Sequence, residues 1–334
     1  MTSAERRDHA LFAYFTSQDD ADGEQVRFAR SEGIDLLHWE SLADGRPVLL
    51  STVGTGGVRD PFLIRSAGLA GETAVFYLIA TDLRVHDLDP DTAWDEAQRH
   101  GSRSIVVWES SDLIHWSAPR LAEVAPPDAG NAWAPEAIFD QKSQRYFVFW
   151  ASTRQDGVSP GYNRMLASWT VDFRSFTTPT VWVDPGWSVI DATVVHHKGA
   201  FYRLLKDERS ADSTLPTAKY LTLERSRELD STRWELVQDG IGSALPVTGT
   251  GLRHGEGPIL LRNETSATWL LLIDEFQLRG YIPFEASDLA GDWTMCESYR
   301  LPTRASHGSI VPISESEWQS LAGIAEADAG SRSA

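Results

Sequence analysis

The chain has 334 residues, 30 of them Lys or Arg against 48 Asp or Glu, for a formal net charge of −18 at neutral pH. That balance excludes the basic footprint that nucleic acid or an anionic membrane surface demands of a partner. A composition of 42% hydrophobic and 23% charged residues, with no apolar run long enough to span a bilayer, excludes disorder and a transmembrane helix. The single cysteine, Cys296, excludes an internal disulfide and a cysteine-cluster metal site. The opening segment Met1–Asp8 carries no apolar signal region, so a cytoplasmic location is expected and the sequon Asn263-Glu264-Thr265 is expected to be unused.

In chain order, apolar strand-like segments fall at Leu11–Thr16, Phe76–Thr81, Tyr146–Ser152, Phe201–Lys206 and Trp269–Asp274. Each is followed by a variant of the phrase Ser-x-Asp-Leu-x-x-Trp. The five copies end in Trp39, Trp116, Phe176, Trp234 and Trp293, at steps of 77, 60, 58 and 59 residues. A third series holds Arg59-Asp60-Pro61-Phe62-Leu63-Ile64, Pro135-Glu136-Ala137-Ile138-Phe139, Ile190-Asp191-Ala192-Thr193-Val194-Val195, Gly255-Glu256-Gly257-Pro258-Ile259-Leu260 and Ser306-His307-Gly308-Ser309-Ile310-Val311. A unit of about sixty residues with an inner strand, two middle strands and an outer strand carrying the aromatic is one four-stranded propeller blade. Five units predict an all-β, five-bladed β-propeller over residues 11–313, preceded by an arm at 1–10 and followed by a short helix and flexible tail at 314–334. The order is circularly shifted, so that pairing of N-terminal and C-terminal strands should close the ring and remove an exposed edge. A β-sandwich, the alternative for so many short strands, does not account for matched triplets in register.

Every inner strand begins with an ionisable residue. Alignment of the five puts Asp60, Glu136, Asp191, Glu256 and His307 at equivalent positions, converging on one face of the ring. Carboxyls gathered in a desolvated channel repel one another and acquire raised pKa values, the mark of acid–base chemistry. The alternative is that they bind only water or an ion.

The motifs Val58-Arg59-Asp60-Pro61-Phe62-Leu63-Ile64, Ser188-Val189-Ile190-Asp191 and Gly255-Glu256-Gly257-Pro258, in that order, resemble those of glycoside hydrolase family 43. The resemblance runs from Leu11 to Ile313 and takes in Trp133-Ala134-Pro135-Glu136 and His307-Gly308-Ser309. It implies that Asp60 is the general base, that Asp191 orients the acid and tunes its pKa, and that Glu256 is the general acid. His307 would be the family's central histidine, beside a calcium or other ion at the propeller axis, with no cofactor required for the chemistry. An inverting glycosidase needs such a pair of carboxyls, one to deprotonate water and one to protonate the leaving oxygen. Asp191 would keep Glu256 protonated by like-charge repulsion.

Competing signals are weaker. Arg59-Asp60-Pro61 also resembles a motif of invertase-like families, but their separate Asn-Asp-Pro is absent. A glycoside phosphorylase would need a phosphate pocket, for which Arg253-His254 are the candidates. His196 and His197 are adjacent on a strand and point to opposite faces. Gly54-Thr55-Gly56-Gly57 lacks the setting of a nucleotide loop.

The loops expected at the active face are Ser17–Glu24, Asp82–Ser102, Thr153–Arg164, Asp207–Ala218 and Glu275–Gly280. The second is the longest, with a helical turn at Thr92–Gln98, and should wall off the groove into a pocket for one terminal sugar. Trp133 and Trp187 are placed to stack on sugar, and Glu136, Asp82 and Arg279 are further candidate substrate contacts. Together with the resemblance, this predicts an inverting, exo-acting α-L-arabinofuranosidase acting on small oligosaccharides. A β-xylosidase or endo-arabinanase on the same fold, or a non-catalytic sugar-binding propeller, are the alternatives.

Overall fold

The structure, a computed structural model, describes residues 6–69, 75–154, 161–210, 214–243 and 251–324. The expected tail beyond residue 324 and parts of two expected active-face loops, 155–160 and 211–213, lie outside the described residues.

Among the described residues, twenty strands form five antiparallel four-stranded sheets. Blade I joins β1 (His9–Phe15), β2 (Arg27–Glu32) and β3 (Asp35–Ser41) to the last strand, β20 (Ser306–Ile313). Blade II is β4 (Val58–Arg65), β5 (Phe76–Asp82), β6 (Ser104–Ser110) and β7 (Arg120–Glu123). Blade III is β8 (Trp133–Asp140), β9 (Arg145–Thr153), β10 (Asn163–Thr170) and β11 (Thr180–Val183). Blade IV is β12 (Val189–His197), β13 (Ala200–Asp207), β14 (Leu221–Ser226) and β15 (Glu235–Ile241). Blade V is β16 (Glu256–Asn263), β17 (Thr268–Glu275), β18 (Gly280–Ala286) and β19 (Thr294–Met295). The inner strands contact one another in the order β20, β4, β8, β12, β16 and back to β20. The ring is closed by β1 against β20, in register from His9 opposite Ile313 to Phe15 opposite Ser306. The first strand thus starts at His9, inside the segment expected to be an arm.

Second strands are mainly apolar in their middle because both of their faces are buried there. On β5, Leu78 packs toward blade I beside Phe28, while Ile79 packs toward blade III beside Trp150. The same alternation puts Phe149 with Leu205, Leu223 with Leu271, and Leu272 with Phe12, so an apolar core fills each space between neighbouring blades.

The repeated Ser-x-Asp-Leu-x-x-Trp phrase is in four blades the turn into the outer strand, whereas it was expected on that strand. Its residue types serve that turn. The Oγ of Ser110 accepts from the N–H groups of Asp112 and Leu113 at 3.2 and 2.9 Å, and Asp112 Oδ1 accepts from Ile114 and His115 at 2.9 and 2.8 Å. Thr170 and Asp172 repeat the pattern. The indole of Trp116 donates to the carbonyl three residues back, as do Trp39 and Trp234.

Among the described residues, two short α-helices lie outside the sheets, α1 (Ala93–His100) and α2 (Glu315–Ser320). The first, in the long loop of blade II, packs Ala93 and Ala97 with Leu83 and Val85 against Trp133. The second starts with a capping box between Ser314 and Glu317 and is tied to the first inner strand of the sequence by Arg65, whose Nη1 and Nη2 donate to Glu317 at 2.9 and 2.7 Å. Among the described residues, no helix is long and apolar enough to cross a membrane.

Candidate active site

All five inner strands are interrupted near the same end by a bulge, in which two residues face one on the second strand. The first bulge residue is Asp60 on β4, Ala134 on β8, Asp191 on β12, Gly257 on β16 and His307 on β20. Four of them, Asp60, Ala134, Asp191 and Gly257, have φ between 47° and 54°. A bulge re-aims a side chain and ends regular pairing, and left-handed backbone is costly for residues other than Gly, least so for Asp. The five ionisable residues are therefore not equivalent as expected: Glu256 precedes its bulge by one position and Glu136 follows the start of its own by two.

These bulges surround a cavity of about 800 Å³ at the axis, lined by Asp60, Asp191, Glu256 and His307 among others. Asp60 Oδ2 accepts a 2.6 Å hydrogen bond from Thr81 Oγ1, which in turn accepts from the Ala134 N–H at 2.7 Å. Asp191 Oδ2 accepts from the Gly257 N–H at 3.0 Å. His307 lies between these carboxyls, its Nδ1 3.4 Å from Asp60 Oδ1 and 3.8 Å from Asp191 Oδ1. A Cβ on Gly257 would lie 2.8 Å from His307 Cγ, so Glu256 must be followed by glycine for the imidazole to fit.

The electrostatics follow from burial. Desolvation, with the charges of Glu256 and Asp60 added and those of His307 and Lys206 opposing, pushes Asp191 up to about 6. Burial and the Glu256 charge push Asp274 up to about 7, against hydrogen bonding from Ser306 and the charge of His307. Burial disfavours a charged His307, but the carboxyls of Asp191, Asp60, Glu256 and Asp274 outweigh it and raise its pKa. The carboxyls around the axis thus favour the protonated form of its imidazole. Calcium takes six to eight oxygen ligands, whereas the axial group here is a ring nitrogen facing two carboxyls that themselves bond to Thr81 and to the Gly257 N–H. Among the described residues, no three His, Cys, Asp or Glu are grouped to hold a metal ion. His307 therefore stands without the grouped ligands that the expected ion would need among the described residues.

The other expected contacts divide. Trp133 and Arg279 line the cavity. Trp187, Asp82 and Glu136 do not. Trp187 is stacked by the Arg209 guanidinium at 4.0 Å from the ring centroid. Asp82 is turned into the protein, where Thr55 donates to its Oδ1 through N–H and Oγ1 at 2.8 and 2.9 Å. Glu136 is buried behind the cavity beside Thr193, and that burial pushes its pKa well above the carboxylate range. The extra residue count between bulge and carboxyl explains the change: Glu136 rejoins the regular ladder opposite Phe149. Arg253 and His254, the candidate phosphate ligands, also stand outside the cavity lining, the His254 ring bonding to the Phe276 carbonyl at 2.9 Å.

All five expected active-face loops reach the cavity, through residues such as Gln18, Trp94, Asn163, Glu208 and Arg279. Trp94 on α1 meets Trp133 edge to face, centroids 6.2 Å apart, and the Arg59 guanidinium lies 4.9 Å from the Trp94 ring. Arg59, Trp94, Lys206 and Asp274 are among the cavity residues that were not anticipated. Lys206 and Asp274 close the second-strand segments Phe201–Lys206 and Trp269–Asp274, and a polar residue ending an apolar strand at the active end was the available signal.

A closed five-bladed propeller with ionisable side chains from separate blades around one axial cavity offers the paired carboxyls on separate elements that hydrolysis of a glycosidic bond requires. A family model described as a probable glycosyl hydrolase domain, related to family 43, matches residues 8–319. The chain belongs to that family. An α-L-arabinofuranosidase of Bifidobacterium longum subsp. longum is 30% identical over 323 residues, which cover 87% of this chain and 29% of that protein. The chain therefore spans under a third of the length of that relative. Solved structures show the same fold: the Penicillium chrysogenum α-L-arabinanase complexed with arabinobiose (TM-score 0.55, 16% identity, 90% of this chain and 79% of that one) and an endo-1,4-β-xylanase from Bacteroides thetaiotaomicron (TM-score 0.53, 16% identity, 87% and 94%).

Proposed function

We propose that the protein is an inverting, exo-acting α-L-arabinofuranosidase that releases terminal arabinofuranose from oligosaccharides. The observation that carries this is the single axial cavity onto which Asp60, Asp191 and Glu256 converge from three blades. Asp60, oriented by Thr81, deprotonates the attacking water. Glu256 hands a proton to the leaving oxygen, and Asp191, anchored on the N–H that follows Glu256, holds the acid's segment in place. The Trp94 and Trp133 indoles, set edge to face, form an apolar wall for the sugar, and α1 closes that side of the groove into a pocket. The choice of sugar rests on the activity named for the Bifidobacterium relative.

The test is a panel of 4-nitrophenyl α-L-arabinofuranoside, β-D-xyloside and β-D-galactoside, run with the wild type, Asp60→Asn and Glu256→Gln. The arabinofuranoside should turn over fastest. Each variant should retain a wild-type melting curve and lose about 10²–10⁴ in kcat/KM on arabino-oligosaccharides. Preferred cleavage of the xyloside would move the substrate to β-xylosides, and a variant keeping more than about a tenth of the wild-type rate would remove that residue from its role.

A further inference from the structure

Glu256 has a cationic neighbour as well as the like charges read from the sequence. Lys206, at the active end of β13, pairs in register with Ile190 on β12, one position before the Asp191 bulge. Its side chain is 2% exposed. From blade IV its ammonium crosses to blade V and contacts Glu256 Oε2. It also lies 2.5 Å from Glu208 Oε1 and 4.5 Å from the centre of the Phe276 ring. Glu208 is held from its other side by Lys219, whose Nζ donates to Oε2 at 2.6 Å. A buried ammonium is tolerated only when it is paired and hydrogen-bonded. The groups facing Glu256 are thus Lys206 from β13, Asp274 directly opposite on β17, Asp191 on β12 and His307 on β20.

We propose that Lys206 is a positioning residue for the proton donor: its ammonium fixes the Glu256 carboxyl at the cavity wall and offsets the carboxyls around it. This rests on the reading of Glu256 as general acid. In the bond-breaking step the proton leaves a Glu256 oxygen for the glycosidic oxygen, which keeps the electron pair of the broken C–O bond. Glu256 ends the step as a carboxylate, and Lys206 keeps its three protons. A fixed cation beside a carboxylate that forms in the transition state stabilises that state more than the ground state. Burial opposes the charge on Lys206, but Glu256, Glu208 and Asp191 outweigh it and raise its pKa. Burial likewise opposes the charge on Glu208, and Lys206 and Lys219 reverse the balance and lower its pKa.

The experiment compares pH profiles of wild type, Lys206→Met, Lys206→Arg and Glu208→Gln on arabinobiose, whose alcohol leaving group needs the proton, and on 4-nitrophenyl α-L-arabinofuranoside, whose leaving group needs it far less. Lys206→Met should lower kcat on arabinobiose about tenfold or more with KM nearly unchanged, and move the alkaline limb up by about one pH unit. Lys206→Arg should keep the limb near wild type. Glu208→Gln, which removes a competing negative charge, should move the limb down. A purely structural lysine would leave both limbs in place. An unmoved limb, or shifts of the same sign in Lys206→Met and Glu208→Gln, would overturn the proposal. Glu208→Gln decides alone where Lys206→Met does not fold. Wild-type inactivity on both arabinosides would count against the arabinofuranosidase reading instead. In that case the Glu256 carboxyl carbon, assigned with Glu256→Gln in glutamate-labelled protein and titrated by ¹³C NMR, must show the same opposed shifts, and their absence would overturn the proposal.

Discussion

Asp274 concentrates the electrostatic cost of the cavity in one side chain. Its Oδ2 accepts from Ser306 Oγ at 2.6 Å and from the His307 N–H at 3.2 Å, while its Oδ1 is buried with no hydrogen-bond partner. A carboxylate oxygen left that way is penalised by desolvation, so the neutral acid is preferred. Asp274 at about 7 and Asp191 at about 6 both stand above the ordinary Asp value of 3.8. Over the interval between ordinary and raised pKa the folded protein binds more protons than the unfolded chain, so stability falls as pH rises. Raised His307 acts in the same sense, its contribution being full below its unfolded pKa of 6.5 and lost as pH rises through the folded one. The lowered carboxyls Asp112, Asp172 and Glu208 act oppositely, but only in the acid range where their ordinary counterparts protonate. The melting temperature should therefore peak on the acid side of neutrality and decline toward pH 7. Asp274→Asn keeps the acceptor for Ser306 and cannot ionise, so its decline between about pH 4 and pH 7 should be shallower than that of the wild type. A parallel or steeper decline in differential scanning calorimetry would show that Asp274 does not carry this proton.

At the scale of elements, the wall beside the cavity is fastened by one buried carboxylate. Glu24, fully buried at the end of the first active-face loop, accepts from the Val85 N–H at 3.1 and 2.9 Å through its two oxygens, from the His86 N–H at 3.0 Å and from Arg59 Nη1 at 3.0 Å. It thereby joins the loop of blade I, the start of the segment carrying α1, and the residue next to Asp60. Glu24→Gln presents an amide N–H where backbone donors need an acceptor, and it unpairs a largely buried guanidinium. A loss of about 3–5 kcal/mol in urea unfolding is expected, together with a higher KM as Trp94 loses its fixed place. A wild-type unfolding midpoint would show that the loops are held by their other contacts. The role of Glu24 was not legible in the sequence, because its partners Arg59 and Val85 lie 35 and 61 residues away. Strand order, the five triplets and the circular shift were legible, because an apolar run buried on both faces and a Ser-x-Asp turn leave local signatures. The two-for-one count at each bulge leaves none unless a glycine marks it, as Gly257 does. For that reason the sequence aligns Glu136 and Glu256 with Asp60 and Asp191.

The whole molecule decides which blades carry the two carboxyls proposed as base and acid. Closure through β1 and β20 brings His307 into the ring between β16 and β4, so Glu256 on blade V and Asp60 on blade II are never neighbours. Adjacent inner strands are pinned together, for example by Tyr281, whose hydroxyl donates to the Gly257 carbonyl at 2.8 Å and accepts from the Gly308 N–H at 2.9 Å. Ser309 does the same on the other side, its Oγ donating to the Pro61 carbonyl at 2.9 Å and accepting from the Leu63 N–H at 2.7 Å. With an entire blade interposed and both its junctions fastened, Asp60 and Glu256 are expected to stand at the roughly 6.5–9.5 Å that admits a water rather than the roughly 5–5.5 Å of a retaining pair. In the proposed reaction Asp60 would then have a water to deprotonate and no direct approach to the anomeric carbon. Hydrolysis should invert the anomeric configuration, without transfer of the sugar to added methanol. Proton NMR of the first sugar released, recorded before mutarotation, is the deciding measurement. The same anomer as in the substrate, or a methyl glycoside among the products, would mean that Asp60 attacks as a nucleophile and that the ring holds the two carboxyls closer than one interposed blade allows.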